Sequence, residues 1–180
     1  MNGFDATVET QPRFVAQTGR LIFFGAWSML FAGLFMAYAF VRTSTAIWPP
    51  ADVPSLDVRL PLLSTGWAVA SSAVLWLASR RNHSALTVTA WLLGVLFLGS
   101  QIFAARQLWR SGLTPASGGA YGTVVYGLFA AHALHLVPGL VALPVTLLKN
   151  VTPPTRQFWF AYWHFITVVW CLLFVALFEL

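Results

Sequence analysis

The sequence predicts an all-α protein, a polytopic helix bundle that crosses a membrane five times. Three observations predict it. Of 180 residues, 58% are hydrophobic and only 8% charged, where a soluble domain carries about 25% charged residues. That charge is too little to cover a water-facing surface. The apolar residues also gather into five long stretches, at about residues 21–41, 60–79, 85–105, 122–148 and 158–178. A helix of some twenty residues reaches roughly 30 Å, the hydrocarbon thickness of a bilayer. Finally, the Lys and Arg residues fall in the tail and the links, and no carboxylate lies deep within a span.

Residues 1–19 are polar and mixed, with no apolar core of a signal peptide. They are expected as a tail outside the membrane, ahead of a single transmembrane domain over residues 20–180. The first span is bracketed by Arg20 and Arg42. Its Gly25, Ala26, Ala32, Gly33 and Ala37 allow close approach of a neighbouring helix. The link that follows holds Pro49, Pro50 and Pro54, which forbid a regular helix, and Trp48, placed to anchor at the headgroup level.

In the second span, Ser64, Thr65, Ser71 and Ser72 are suited to bond carbonyls one turn back or a facing helix. Arg80, Arg81, Asn82 and His83 then make a tight basic turn, so the second and third spans are antiparallel neighbours. Gln101 is the most polar interior residue of the third span. Residues 107–121, rich in Gly, Ser and Pro, read as a connection outside the membrane. The fourth span carries His132 and His135. It also carries Pro138 and Pro144, each of which removes a backbone donor and is expected to kink the helix. The fifth span holds His164 beside Tyr162, Trp163 and Trp170.

Five spans put the termini on opposite sides. The side of the N-terminal tail carries Arg13, Arg20, Arg80, Arg81, Lys149 and Arg156, and the other carries Arg42, Arg59, Arg106 and Arg110. That bias predicts a cytoplasmic N-terminus and an external C-terminus. The net charge of +5 is therefore a matter of topology, and nucleic acid is excluded as a partner. The lone Cys171, inside an apolar span, reads as a small packed hydrophobe.

The candidates for chemistry are few. His132 and His135 stand at i and i+3 and face roughly one side of their helix. With His164 on another helix they are possible axial ligands of a haem iron. Against this, an i, i+3 pair cannot clamp one haem from both faces, and a buried imidazole hydrogen-bonded between helices explains each residue as well. No acid inside the spans supports a proton pump or transporter. No phosphate loop, Ser-His-Asp set, CxxC pair or H-E-x-x-H motif occurs. The residues alone describe a membrane scaffold.

Several segments then resemble, in order, one known family. They are Phe31-Ala32-Gly33-Leu34-Phe35-Met36-Ala37-Tyr38; Trp48-Pro49-Pro50; Pro61-Leu62-Leu63-Ser64-Thr65 with Ser71-Ser72; Gln101; Tyr121-Gly122; His132-Ala133-Leu134-His135 with Gly139; and Tyr162-Trp163-His164-Phe165 with Val168-Val169-Trp170. The chain resembles subunit III of the haem-copper respiratory oxidases, cytochrome c oxidase subunit 3, in its short five-helix bacterial form. The resemblance implies an accessory subunit of the bacterial inner membrane, multi-pass and without an active site of its own. Its implied partners are the catalytic subunit I, the copper-bearing subunit II and membrane lipids. Haem and copper belong to the partner subunits, and bound phospholipid is implied for this one. His132, His135, His164, Trp163, Tyr162, Gln101 and Trp48 are then expected in structural or lipid-contact roles, with no catalytic, cofactor or metal residue. Three positions depart from the family's pattern: Trp27, Ala104 and Thr167 stand where members carry acids, which weakens the case for proton uptake. Two alternatives remain beside this one, an accessory chain of a bacterial nitric oxide reductase and a stand-alone haem b cytochrome using His132 or His135 with His164.

Overall fold

The computed structural model describes residues 4–48, 50 and 58–179. In chain order it holds α1 (Phe4–Thr43), α2 (Arg59–Arg81), α3 (Ser84–Arg110), α4 (Gly119–Val145) and α5 (Pro153–Phe174), which runs into a π-helical turn, Val175–Glu179. No strand occurs among the described residues. Among the described residues, five helical stretches are long and apolar enough to cross a membrane: Phe14–Thr43, Arg59–Arg81, Ser84–Arg110, Gly119–Val145 and Pro153–Phe178. The all-α class and the five spans are as predicted. Pro49 and Pro54 of the first link lie outside the described residues, as do Asp52 and Asp57.

The helix ends differ from the hydropathy boundaries. Residues 1–19, expected as a tail, are helical from Phe4 onward. Ala6, Glu9, Gln11, Ala16 and Gln17 are good helix formers, and extending an existing helix gains one bond per residue fixed. The helix α3 likewise runs on to Arg110, so the expected link at 107–121 shrinks to 111–118. Hydropathy marks where the chain must lie in lipid. The helix itself stops where the backbone turns, here at Gly112 with φ of 91°. The fourth span, expected to residue 148, leaves the α-helix after Val145 and tightens into i→i+3 bonds from Leu147 to Pro144 and from Leu148 to Val145.

Two compact units make up the chain, one up to Phe40 and one from Val41 onward. The first is α1, with Phe23 against Phe24 and Trp27 along its surface. Many of its large apolar side chains are exposed, among them Leu21, Ile22, Met29 and Met36.

The second unit is a four-helix bundle. Each of α2 to α5 packs on two neighbours in a ring, α2 on α3, α3 on α4, α4 on α5 and α5 back on α2. In the structure the buried positions recur at heptad-like spacing along each helix. Buried positions are Ser64, Ala68, Ser71, Leu75 and Ala78 in α2, and Thr87, Ala90, Gly94, Phe97 and Ala104 in α3. In α4 they include Tyr121, Val125, Leu128, His132, His135, Gly139 and Ala142. This 3–4 spacing keeps one stripe facing the partners. Small residues dominate the α2–α3 seam, and in lipid, where no hydrophobic drive joins helices, close backbone approach supplies the van der Waals contact. The turn between α2 and α3 is made by Asn82, at φ 48° and ψ 43°, a left-handed conformation that asparagine tolerates.

The opposite end is closed by the α3–α4 link. Leu113, Tyr121 and Val125 form a buried cluster there, with Trp48 packed against it. A Cβ on Gly122 would lie 2.6 Å from the Thr114 carbonyl oxygen, so only glycine lets the link fold back on α4.

Candidate functional site: the indole and imidazole seam

The interior of the bundle is organised around Trp163. Its ring enters from α5 between two glycines. A Cβ on Gly94 of α3 would stand 2.5 Å from Trp163 Cζ2, and one on Gly139 of α4 would stand 2.9 Å from its Cε3. Its Nε1 donates to Ser71 Oγ of α2 at 2.9 Å, and Ser71 Oγ donates onward to the Ala90 carbonyl of α3 at 2.7 Å. One side chain thus touches the other three helices of the bundle.

A second indole repeats the arrangement one heptad later. Trp170 Nε1 donates to Thr65 Oγ1 at 2.9 Å, while Thr65 donates to the Pro61 carbonyl. The expectation for the α2 hydroxyls is met in both forms. Ser64 and Thr65 bond one turn back to Pro61, and Ser71 and Ser72 bond facing helices. Gln101 joins the same layer, its Nε2 donating to Ser64 Oγ at 2.6 Å.

The break at Pro144 is compensated from a neighbouring helix. Pro144 has no N–H for the carbonyl four residues before it, that of Leu140. Trp91 Nε1 of α3 donates to that oxygen at 2.9 Å. Near Pro138, the Tyr162 hydroxyl donates to the His135 carbonyl at 2.6 Å. The helix α4 continues across Pro138 as far as Val145.

The three histidines part company. His164 Nδ1 and Ser72 Oγ share a hydrogen bond across the α2–α5 seam, at 2.5 Å. His135 is buried and turns its Nδ1 to the Ala131 carbonyl of its own helix. His132 is 2% exposed, and neither ring nitrogen has a hydrogen-bond partner. Its ring lies edge-on to Phe97 and tilted over Trp170, with centroids 5.9 and 5.2 Å away. The expected interhelical bond is therefore absent at His132, because aromatic rings occupy its surroundings. A cavity of about 180 Å³ between α3 and α4 is lined by His132, Gln101, Tyr126, Phe129 and Trp170. His164 instead lines a groove between α2 and α5 with Trp76 and the half-buried Cys171. His132 and His164 thus face different spaces, which is not the disposition of two axial ligands on one iron. Among the described residues no three His, Cys, Asp or Glu converge.

Trp48, read as a headgroup anchor, sits edge-on to Tyr121 at 4.8 Å and helps close the α3–α4 end. Two of the positions that depart from the family's acids lie in this unit. Ala104 is buried, and Thr167 Oγ1 returns to the Trp163 carbonyl at 3.0 Å. Sequence reasoning missed Gly94 and Trp91. Glycine at a heptad position, and an indole on the helix beside an internal proline, were the available signals.

Comparison with known proteins assigns the family. The sequence profile described as "Cytochrome c oxidase subunit III" matches residues 7–179. The chain is 30% identical to cytochrome c oxidase subunit 3 of Synechocystis sp. over 177 residues, covering 90% of this chain and 74% of that one. It is 28% identical to the Bacillus subtilis protein of the same name over 186 residues, covering 96% and 88%. A probable cytochrome c oxidase subunit 3 of Nocardia farcinica is 29% identical over 183 residues, covering 93% and 89%. With a match along nearly its whole length, the chain belongs to the cytochrome c oxidase subunit III family.

Proposed function

We propose that the chain is an accessory, non-catalytic subunit of a respiratory haem-copper oxidase, working in aerobic electron transport beside a catalytic subunit I and a copper-bearing subunit II. The family match over residues 7–179 carries this reading. In it the haem and copper belong to the partner subunits, and this chain contributes a rigid apolar wall and lipid contact. The physical basis is the bundle itself. Its polar side chains are spent on tying helices together, at Ser71, Thr65, Gln101 and Trp91. Its outward faces are apolar, which suits contact with a neighbouring subunit and with acyl chains.

In this reading His135, His164, Tyr162, Trp163 and Gln101 are positioning residues of the bundle. Trp48 closes one end, and His132 lines the α3–α4 cavity. With Trp27, Ala104 and Thr167 at the acid positions, the spans offer no carboxylate for proton uptake. The setting is a bacterial inner membrane, crossed five times, with the N-terminus cytoplasmic and the C-terminus outside.

Purification in mild detergent with mass spectrometry of the co-eluting chains tests the proposal. Subunits I and II of an oxidase are the expected companions. Co-elution with a nitric oxide reductase instead, or a Soret band belonging to the isolated chain, would overturn it.

A further inference from the structure

The cavity of about 180 Å³ between α3 and α4 is lined by a polar group that the fold leaves without a partner. His132 is 2% exposed, and neither Nδ1 nor Nε2 is hydrogen-bonded. A neutral imidazole presents one donor and one acceptor nitrogen. The side-chain donors that share the cavity are already used. Trp170 Nε1 gives to Thr65, the Tyr126 hydroxyl to the Ala105 and Leu113 carbonyls, and Gln101 Nε2 to Ser64. None of them has a proton to spare for the acceptor nitrogen of His132.

The surroundings narrow the ligand that would supply one. Phe97 stands edge-on to the imidazole at 5.9 Å, Trp170 is tilted over it at 5.2 Å, and Phe129 stacks on Trp170 at 6.1 Å. Such walls favour a flat aromatic body. The volume admits one ring, since a cavity of about 150 Å³ takes up benzene. Depth argues the same way. His132 stands at the midpoint of α4, so roughly 20 Å of helix runs to either end. An ion at that depth is costly to desolvate, whereas a neutral ring dissolves in lipid. Ile102 and Ala130 of the lining are exposed, so the cavity opens between the two helices. We propose that it binds a membrane-soluble phenol, a single aromatic ring whose hydroxyl donates to the acceptor nitrogen of His132. The site depends on the geometry of the bundle and not on the oxidase reading, and either can fail without the other.

Fluorine NMR of the full chain in phosphatidylcholine nanodiscs tests it. The probes are 4-fluorophenol and fluorobenzene, with empty discs to subtract partition into the lipid. Fluorophenol is expected to bind about two- to tenfold more tightly than fluorobenzene, the order of one hydrogen bond. His132→Phe, which keeps the aromatic setting, is expected to erase that difference. His164→Phe, on the α2–α5 groove, is expected to keep it. Ala133→Leu, which narrows the cavity and keeps every histidine, is expected to exclude both probes. Far-UV circular dichroism establishes that the variants stay folded. Equal binding of the two probes by the unaltered chain overturns the proposal and leaves the imidazole to water or to a neighbouring subunit. A preference for fluorophenol that survives His132→Phe, or that a folded His164→Phe abolishes, places the hydroxyl elsewhere and overturns it too. So does unchanged binding in Ala133→Leu, which would put the ring outside this cavity.

Discussion

Replacing Gly94 by alanine probes the Trp163 keystone with a single methyl group. The new Cβ would lie 2.5 Å from Trp163 Cζ2 and 2.6 Å from Cη2, where carbon atoms rest at about 3.5–4.0 Å. The ring must therefore retreat by roughly 1 Å, and little room exists for that. Gly139 already approaches the other side of the indole, and Nε1 is tied to Ser71 Oγ at 2.9 Å. A shift of that size stretches the hydrogen bond past its useful range. Overpacking costs about 1–3 kcal/mol and the lost hydrogen bond about 0.5–1.5 kcal/mol. Exchanging glycine for alanine within a helix returns up to about 1 kcal/mol. The net expectation is a destabilisation of roughly 1–3 kcal/mol. Gly99, five residues on in the same helix, has nothing within 4 Å of its Cβ position. Gly99→Ala should then be neutral or slightly stabilising. Unfolding of the full chain in mixed micelles on titration with a denaturing detergent, followed by circular dichroism, reads both. Equal midpoints for the two variants would refute the placement of Trp163 between α3 and α4.

Three other outcomes follow from the same interior, read by the same unfolding titration. Ser71→Ala removes the acceptor of Trp163 Nε1, leaves a buried donor unpaired and should cost about 1–3 kcal/mol; combined with Trp163→Phe the two losses should fall short of additive, and full additivity would deny the contact. Trp91→Phe should cost about 1 kcal/mol because the Leu140 carbonyl loses its donor; in a Pro144→Ala background, where a helical N–H returns to that carbonyl, the cost should shrink, and an unchanged cost would reject the compensation. His132→Phe should leave the protein as stable or about 1 kcal/mol more stable, since two unpartnered ring nitrogens are removed from an aromatic setting; a loss above about 2 kcal/mol would show that the imidazole has a partner.

These predictions bear on why the histidines read so alike in the sequence and so differently in the fold. Each is a lone polar group in an apolar span. Ser72 happens to face His164 across the α2–α5 seam. His132, one heptad short of Gly139 on α4, meets Phe97 and Trp170 instead. A haem reading was open while only types and spacings were known. It lost its basis once His132 and His164 were seen to line separate spaces.

By itself the sequence determined that the chain is helical, where its five spans lie, and that short links make neighbours antiparallel. Those properties are local. A bilayer demands length and apolarity from each span separately, so they are written in each window of the chain. The motif around Tyr162, Trp163 and His164 also marked the family. Only the tertiary structure decided which face of each helix turns inward. In lipid both the interior and the exterior of a bundle are apolar, so no amphipathic stripe announces the buried side. That rotation is what seats Trp163 between Gly94 and Gly139, hands the orphaned Leu140 carbonyl to Trp91, and sets His132 on the α3–α4 cavity.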